Sequence, residues 1–490
     1  MRANCSQSSQ RFSWFMIVLA CLALASTSSA QVSLTQLSED TFTNNSSQHA
    51  TEVEPSAFTF GNTTVAAFQV ARIYGGGGAD IGFATTTDNG AHWTNGFLPG
   101  ITIFQGNGQY QAASDASVAY DALHAVWLIS TLPIAGSNAV AVSRSTDGIH
   151  WSTPNFVTKT GGPDKNWIVC DNTATSQFYG HCYSEWDSTD GGDFIQMSTS
   201  TDGGVTWSSP VGTQGNDFGI GGLPLVTKNG KVVVPILGFN GFVTAFSSTN
   251  GGNTWTAAVN VGSFINHSEA GGIRSAGLPS AAVDSKGKVY VAWSDCRFRT
   301  NCSSNDIVFS KSANGTKWSA VKRIPIDLVT STVDHFITGM AIEPGTGGST
   351  AHIGLVYYYY PVSNCGSNCQ LYAGFIQSTH SGTTWTPAQS LAGPMKISWL
   401  PDTFSGFMVA DYLAVGFGGG KAFPIFAVAQ APTGSVFHQA IYTTATGLAA
   451  EAQELETLSS EGDLPVPNAK SDHVLKPFRD NESIPDGDRP

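Results

Sequence analysis

At 490 residues the chain could hold two or three average domains or one large one, with ample sequence for a sizeable core. Only 12% of it is charged, while 54 glycines and 11% aromatic residues suit many tight turns around packed strands. A net charge of −13 with no basic stripe argues against nucleic acid as a partner.

The N-terminus carries Arg2 and Arg11, then an apolar run over 14–25, then Ser28-Ser29-Ala30 before Gln31. A basic region, a core too short to span a membrane and a small-residue site read as a secretory signal over 1–30, cut after Ala30 and leaving no transmembrane segment in the mature chain. The competing reading is a lipoprotein anchored through Cys21, but the apolar run before it is short and Leu19 fits poorly. Export leaves six cysteines in local pairs: Cys170 with Cys182, Cys296 with Cys302, Cys365 with Cys369. Disulfide staples are expected in such a compartment, although other pairings are formally open. A metal site is the alternative, and the nearby histidines lack zinc-ligand spacing.

Residues 31–50 begin with the alternating Val32-Ser33-Leu34-Thr35, enough for one strand, and end in an Asn/Ser/Gln-rich link. From there one grammar repeats: an apolar strand, a Gly/Asn/Asp turn, a β-prone strand, a loop, a third strand, a Trp-bearing hairpin and a fourth strand. Ser200-Thr201-Asp202-Gly203-Gly204-Val205-Thr206-Trp207 is the fullest hairpin. Its Ser and Asp side chains can bond the backbone of a tight turn, Gly supplies a positive φ, and Trp anchors the hairpin on apolar neighbours. Copies stand at Thr86, Asp88, Gly90 and Trp93, and, one residue shorter, at Ser145, Asp147, Gly148 and Trp151. Weaker copies place Asn250 before Trp255, Asn314 before Trp318 and His380 before Trp385. The tryptophans recur at intervals of 58, 56, 48, 63 and 67, a period suited to a four-stranded blade.

A seventh set, with strands over 408–415, 422–429 and 437–444, lacks a hairpin motif and a fourth strand, while the strand near Val32 lacks a blade. Joining them would close a ring and remove two exposed edges. Seven blades over 31–446 are therefore expected, with six as the fallback. Residues 447–490 hold ten acidic and four basic side chains and read as an acidic, mostly disordered tail.

The hairpin and its copies resemble the Asp-box, or BNR, repeat of the sialidase superfamily, in register over nearly all of the ordered chain. The resemblance implies an all-β propeller with the boxes at the periphery, away from any substrate pocket. For an enzyme it implies exo-sialidase-like glycoside hydrolysis, with an arginine clamp for the substrate carboxylate, a Tyr/Glu nucleophile pair and an Asp acid. The family's Phe/Tyr-Arg-Ile-Pro string is missing; the nearest string, Ala71-Arg72-Ile73-Tyr74, lacks the Pro and ends a second strand.

In a propeller, the loops entering the innermost strands and those joining the second and third strands converge on one axial face. Counting back from each first turn puts Glu54, Asp164 and Asp411 in phase, with Asp115 one residue nearer and Asp334 and Arg274 slightly farther. These groups either solvate the channel or form a polar pocket in which a protonated carboxyl acts as general acid, with Asp164, Asp334 and Asp411 as the candidates. Tyr412 beside Asp411 is the suggestive nucleophile pair and Glu269 an alternative base, packing being the other role open to Tyr412. Arg72, Arg274, Arg297 and Arg299 fall near the face and read as anion contacts or as surface ion pairs.

Trp167 reads as a sugar platform or a buried anchor, and His335 as a proton shuttle or a structural histidine. The run 357–360 of tyrosines should send two rings to each side of its sheet. Asp187, Asp190 and Asp193 make either a calcium loop or an ordinary Asp/Gly hairpin; no other cofactor is required. The expectation is a secreted monomer that binds or hydrolyses a glycan, or another polar ligand, on its axial face. The rival is a non-catalytic glycan- or protein-binding module.

Overall fold

A computed structural model describes residues 32–450 and the backbone of the short strand Leu455–Glu456. The expected signal over 1–30 and the rest of the tail beyond 450 lie outside the described residues. Among the described residues the regular elements are β-strands and five 3-10 turns of three residues each, and no helix is long and apolar enough to cross a membrane.

The strands form successive antiparallel meanders, each running from an innermost strand outward. The innermost strands of the first three units are Glu52–Phe60, Ala112–Asp121 and Pro163–Cys170. In the fourth the strand is broken into Gly219–Ile220 and Leu225–Val226, which pair with the same neighbour, Val232–Gly238. The fifth, sixth and seventh begin with Ser280–Val283, Asp334–Ile342 and Ala414–Gly418. The first two units share one sheet through the single pair Gly78 and Ala113. The seventh has three strands of its own, Ala414–Gly418, Lys421–Thr433 and Val436–Thr444, and Leu34–Gln36 pairs antiparallel with the last of them. Its innermost strand starts later than the expected 408, because residues 408–413 run outside the ladder, where the Gln439 amide holds Met408 O.

The hairpins show why the motif recurs. Ser200 Oγ donates to Asp202 Oδ1 at 2.8 Å and accepts from Gly204 N at 2.9 Å, while Asp202 Oδ1 accepts from Thr206 N at 2.9 Å. The Ser248/Asn250 and Ser312/Asn314 hairpins repeat the pattern with an amide oxygen in place of the carboxylate. The hairpin glycine also lets each unit press on the one before. A Cβ at Gly148 would meet Val65, at Gly204 Leu128, at Gly315 Val233 and at Gly382 Phe309.

The core lies between neighbouring sheets. Tyr290, Ala292, Ile307 and Phe309 of the fifth unit interleave with Ile353, Leu355, Tyr357 and Trp385 of the sixth. Burial of each such large side chain stabilises by about 1.5–3 kcal/mol. Tyr358 and Tyr360 pack on the opposite side from Tyr357 and Tyr359, as the period of two requires. All three expected disulfides form, Cys170–Cys182, Cys296–Cys302 and Cys365–Cys369.

Candidate functional site

Four innermost strands carry a β-bulge, between Val53 and Ser56, Ser114 and Ser117, Asp164 and Trp167, and Phe336 and Thr338. Each bulge holds a non-glycine residue in the left-handed region: Glu54 at φ 55°, Asp115 at 47°, Lys165 at 47° and Ile337 at 46°. Such a conformation costs about 1–3 kcal/mol per residue and re-aims the side chain. Ile337 identifies the bulge as a feature of the fold; in the other three it carries a charge, and those three charges meet.

Lys165 is their centre. Its Nζ lies 2.7 Å from Asp115 Oδ1, 3.6 Å from Glu54 Oε1 and 3.8 Å from Asp411 Oδ2. Arg274, on the loop over 264–279, donates from Nε to Asp411 Oδ1 at 3.0 Å and Oδ2 at 3.2 Å. The Gln69 amide donates to Glu54 Oε2 and, at 2.8 Å, to Ser114 Oγ. Tyr412 lies with its ring 4.2 Å from Lys165 Nζ and 5.1 Å from the Trp167 ring, edge to face. Glu54, Asp115, Lys165, Arg274 and Asp411 are each no more than 5% exposed. Burial alone would lower the Lys165 pKa, but Asp115, Glu54 and Asp411 hold it above its ordinary range. It is a fixed cation and cannot serve as a base.

Glu185, on the second strand of the third unit, was invisible to phase counting. Its carboxyl lies where a Cβ at Gly222 would stand, so it fills the place left empty by the broken innermost strand of the fourth unit. Burial pushes it well above the usual carboxylate range, and neither oxygen has a hydrogen-bond partner among the described residues. The signal in the sequence was the pair Gly221-Gly222 at the phase where other units carry charge.

A second cluster forms around Asn305, which gathers His267, Glu269 and Asp334. Its Nδ2 donates to Glu269 Oε1 at 3.0 Å and its backbone N to Asp334 Oδ1 at 2.6 Å. The expected acid Asp164 is buried next to the hub, with its Oδ1 accepting from Lys165 N at 3.0 Å.

Arg297 is spent on Asp295, at 2.8 Å from Nε, and on Ser263 O. Arg299 is held by Asp306 and Asp327, each at 2.9 Å, and by the carbonyls of Leu328, Val329 and Ser331. Arg72 donates to Gln69 Oε1 at 3.1 Å and Gly77 O at 2.6 Å. These guanidinium groups, read from the sequence as anion contacts or as surface ion pairs, each lie buried among protein oxygens that they satisfy. Arg274, open to the same two readings, pairs with Asp411. His335, read as a proton shuttle or a structural histidine, is buried between Tyr357 and Tyr359 with Nδ1 3.1 Å from Asn305 O, and burial lowers its pKa. It is a neutral structural histidine.

The one acid/histidine group whose ligand atoms gather within 4.8 Å among the described residues is Asp306, Asp327 and His335. Arg299 and Arg323 already neutralise both carboxylates, so a cation has no place there. Asp187 stands on its strand, Asp190 in a 3-10 turn and Asp193 beyond it, and their ligand atoms do not gather in this way.

No family model matches the chain, and no curated protein matches it. Among solved structures it is similar to the intramolecular trans-sialidase from Ruminococcus gnavus, with 15% identity and a TM-score of 0.39 over 79% of this chain and 92% of that one. The NanB sialidase from Streptococcus pneumoniae gives 13% and 0.41 over 83% and 70%. A PL25 ulvan lyase gives 10% and 0.48 over 85% and 97%.

Proposed function

We propose that the chain is an exported, sialidase-like propeller of seven blades that binds an extracellular glycan on its axial face and hydrolyses a glycosidic bond there. Ring closure is supported by innermost strands that touch in turn, with Glu52–Phe60 against Ala112–Asp121 at one junction and against Ala414–Gly418 at another. It is supported also by Gly90, whose Cβ would meet Phe423 of the seventh unit as the other hairpin glycines meet the unit before them. Three disulfides suit an oxidising compartment.

One observation carries the functional reading: Glu54, Asp115 and Asp411 converge on Lys165 and Arg274 beneath the rings of Tyr412 and Trp167. Within this reading the general acid is one of these three carboxyl groups. With the candidate arginines engaged by protein oxygens and carboxylates in excess, the face suits a neutral sugar better than an anionic one.

The test is turnover of a fluorogenic panel of neutral hexosides, uronides and a sialoside by the full exported chain. A neutral hexoside should be hydrolysed, with kcat falling roughly a hundredfold in Asp411→Asn. Preference for the sialoside would sink the neutral-sugar reading. Binding on a glycan array without turnover of any glycoside would replace hydrolysis by a non-catalytic module, a role that the deep burial of the hub also suits.

A further inference from the structure

The innermost strand of the fourth unit is interrupted where the strand beside it cannot support it. Gly219–Ile220 pairs with Gly238 and Leu237, and Leu225–Val226 with Val233 and Val232. Between them neither Pro235 nor Pro224 has an N–H to give, so the ladder cannot run on. Leu223 N donates to Pro235 O at 3.0 Å across this gap. Gly221 stands in the left-handed region at φ 70°, which glycine takes without strain, and it supplies a hinge at one end of the stretch over 221–224.

Beneath this stretch lies Glu185. A Cβ at Gly222 would stand 2.3 Å from Glu185 Cδ and Oε1 and 2.6 Å from Oε2, so glycine is what lets the segment close over the carboxyl. Glu185 is fully buried, and neither oxygen has a hydrogen-bond partner among the described residues. In register it faces Trp167 on the innermost strand of its own unit and Met197 on the third. The titratable groups on the elements around it are Tyr183 and Asp187 on its own strand and Asp164 and Lys165 on the innermost strand. The loop over 264–279, whose Leu278 lies against Gly221, adds His267, Glu269 and Arg274. The stretch over 219–226 and the strand Val232–Gly238 carry none. None of these groups bonds Glu185, and burial is the one cause acting on its carboxyl. A side chain that merely filled this space would be apolar, as Met197 is; a carboxylate without a partner is far costlier to bury than the protonated acid.

We propose that the stretch over 221–224 is a proton-controlled flap over Glu185, down while the carboxyl holds its proton and raised when it does not. Loss of the proton leaves a charge that must reach water, and the interrupted strand yields before the continuous ladders beside it. Raised, the flap uncovers the space beside Trp167, whose ring packs edge-on against Tyr412, and adds a carboxylate to the axial face. The closed form binds the proton more tightly than the raised one. Its hold is therefore complete below the ordinary carboxyl value of 4.5 and is lost as pH rises above it. The device operates whether or not the hub turns over a glycoside.

Amide hydrogen exchange of the full exported chain tests this, with each rate divided by that of an unstructured peptide at the same pH. From about pH 5 to about pH 8, protection over 219–226 should fall by up to about tenfold per pH unit. The innermost strand of the fifth unit, Ser280–Val283, serves as the control and should stay level. In Glu185→Gln, which keeps the shape and cannot ionise, protection over 219–226 should be level across the same range. A wild-type segment whose protection does not change with pH overturns the proposal, and so does an equal fall in Glu185→Gln. Gly222→Ala places a Cβ where the carboxyl lies, and should cost the segment about tenfold of its protection already at about pH 5, with the control strand unchanged. Full protection in that variant overturns the closing of Gly222 over Glu185.

Discussion

Two buried charge clusters in this chain are built on opposite terms. Arg299 and Arg323 face Asp306 and Asp327, two cations for two carboxylates, on a regular strand and the loop beside it. Around Lys165, three carboxylates share two cations, and three of those five residues sit at strained, left-handed backbone positions. A balanced cluster costs little to keep charged and locks a loop to a sheet. An unbalanced one on strained strands is expensive to maintain, and such cost is most often met at sites that work.

The sharpest way to break the contrast is to remove one member from each cluster. Arg299→Leu leaves Asp306 and Asp327 under-compensated and should destabilise the chain by about 3–5 kcal/mol in a denaturant melt. A lone buried carboxyl gives the next largest effect. Burial, and more weakly Asp40 and Glu39, push Glu52 up to about 8 despite its hydrogen bond from Ser38. A carboxyl whose folded value lies above its unfolded one contributes stability below the unfolded value of 4.5, and that contribution is lost as pH rises toward 8. Glu52→Gln should therefore flatten the fall in melting temperature over that window and gain about 2 kcal/mol at its alkaline end.

Glu54→Gln, which relieves the excess of carboxylates, should shift stability by less than about 1 kcal/mol in either direction while lowering turnover roughly a hundredfold. A loss as large as that of Arg299→Leu would erase the distinction between the clusters. Smallest of all, millimolar calcium or a chelator should move the melting temperature by less than about 1 °C, since Asp187, Asp190 and Asp193 do not gather as ligands.

The repeat was legible because its turn chemistry is local: Ser, Asp and Gly at fixed offsets specify the hairpin whatever the rest of the chain does. The axial phase was legible only in part. Counting back from each first turn put Glu54 and Asp411 in phase and Asp115 and Arg274 near it, but it chose Asp164 where Lys165 is central. A bulge inserts one residue and turns the next side chain to the other direction, which no period of two can register. Glu185 escaped because it reaches across from a second strand. The fate of Arg297 was readable in principle from Asp295 two residues earlier on the same stapled loop.

The pairing of Leu34–Gln36 with Val436–Thr444 also governs when the protein can finish folding. Tyr442 donates to Gln36 Oε1 at 3.1 Å across 406 residues of chain. Closing so long a loop adds little entropy cost beyond that of a shorter one, but it makes the contact among the last available to a growing polypeptide. A chain stalled or clipped before its final strand keeps an unpaired edge, the feature that aggregation and proteolysis both exploit. Synthesis through residue 444 is thereby checked at the last joint, where its absence leaves an edge uncovered.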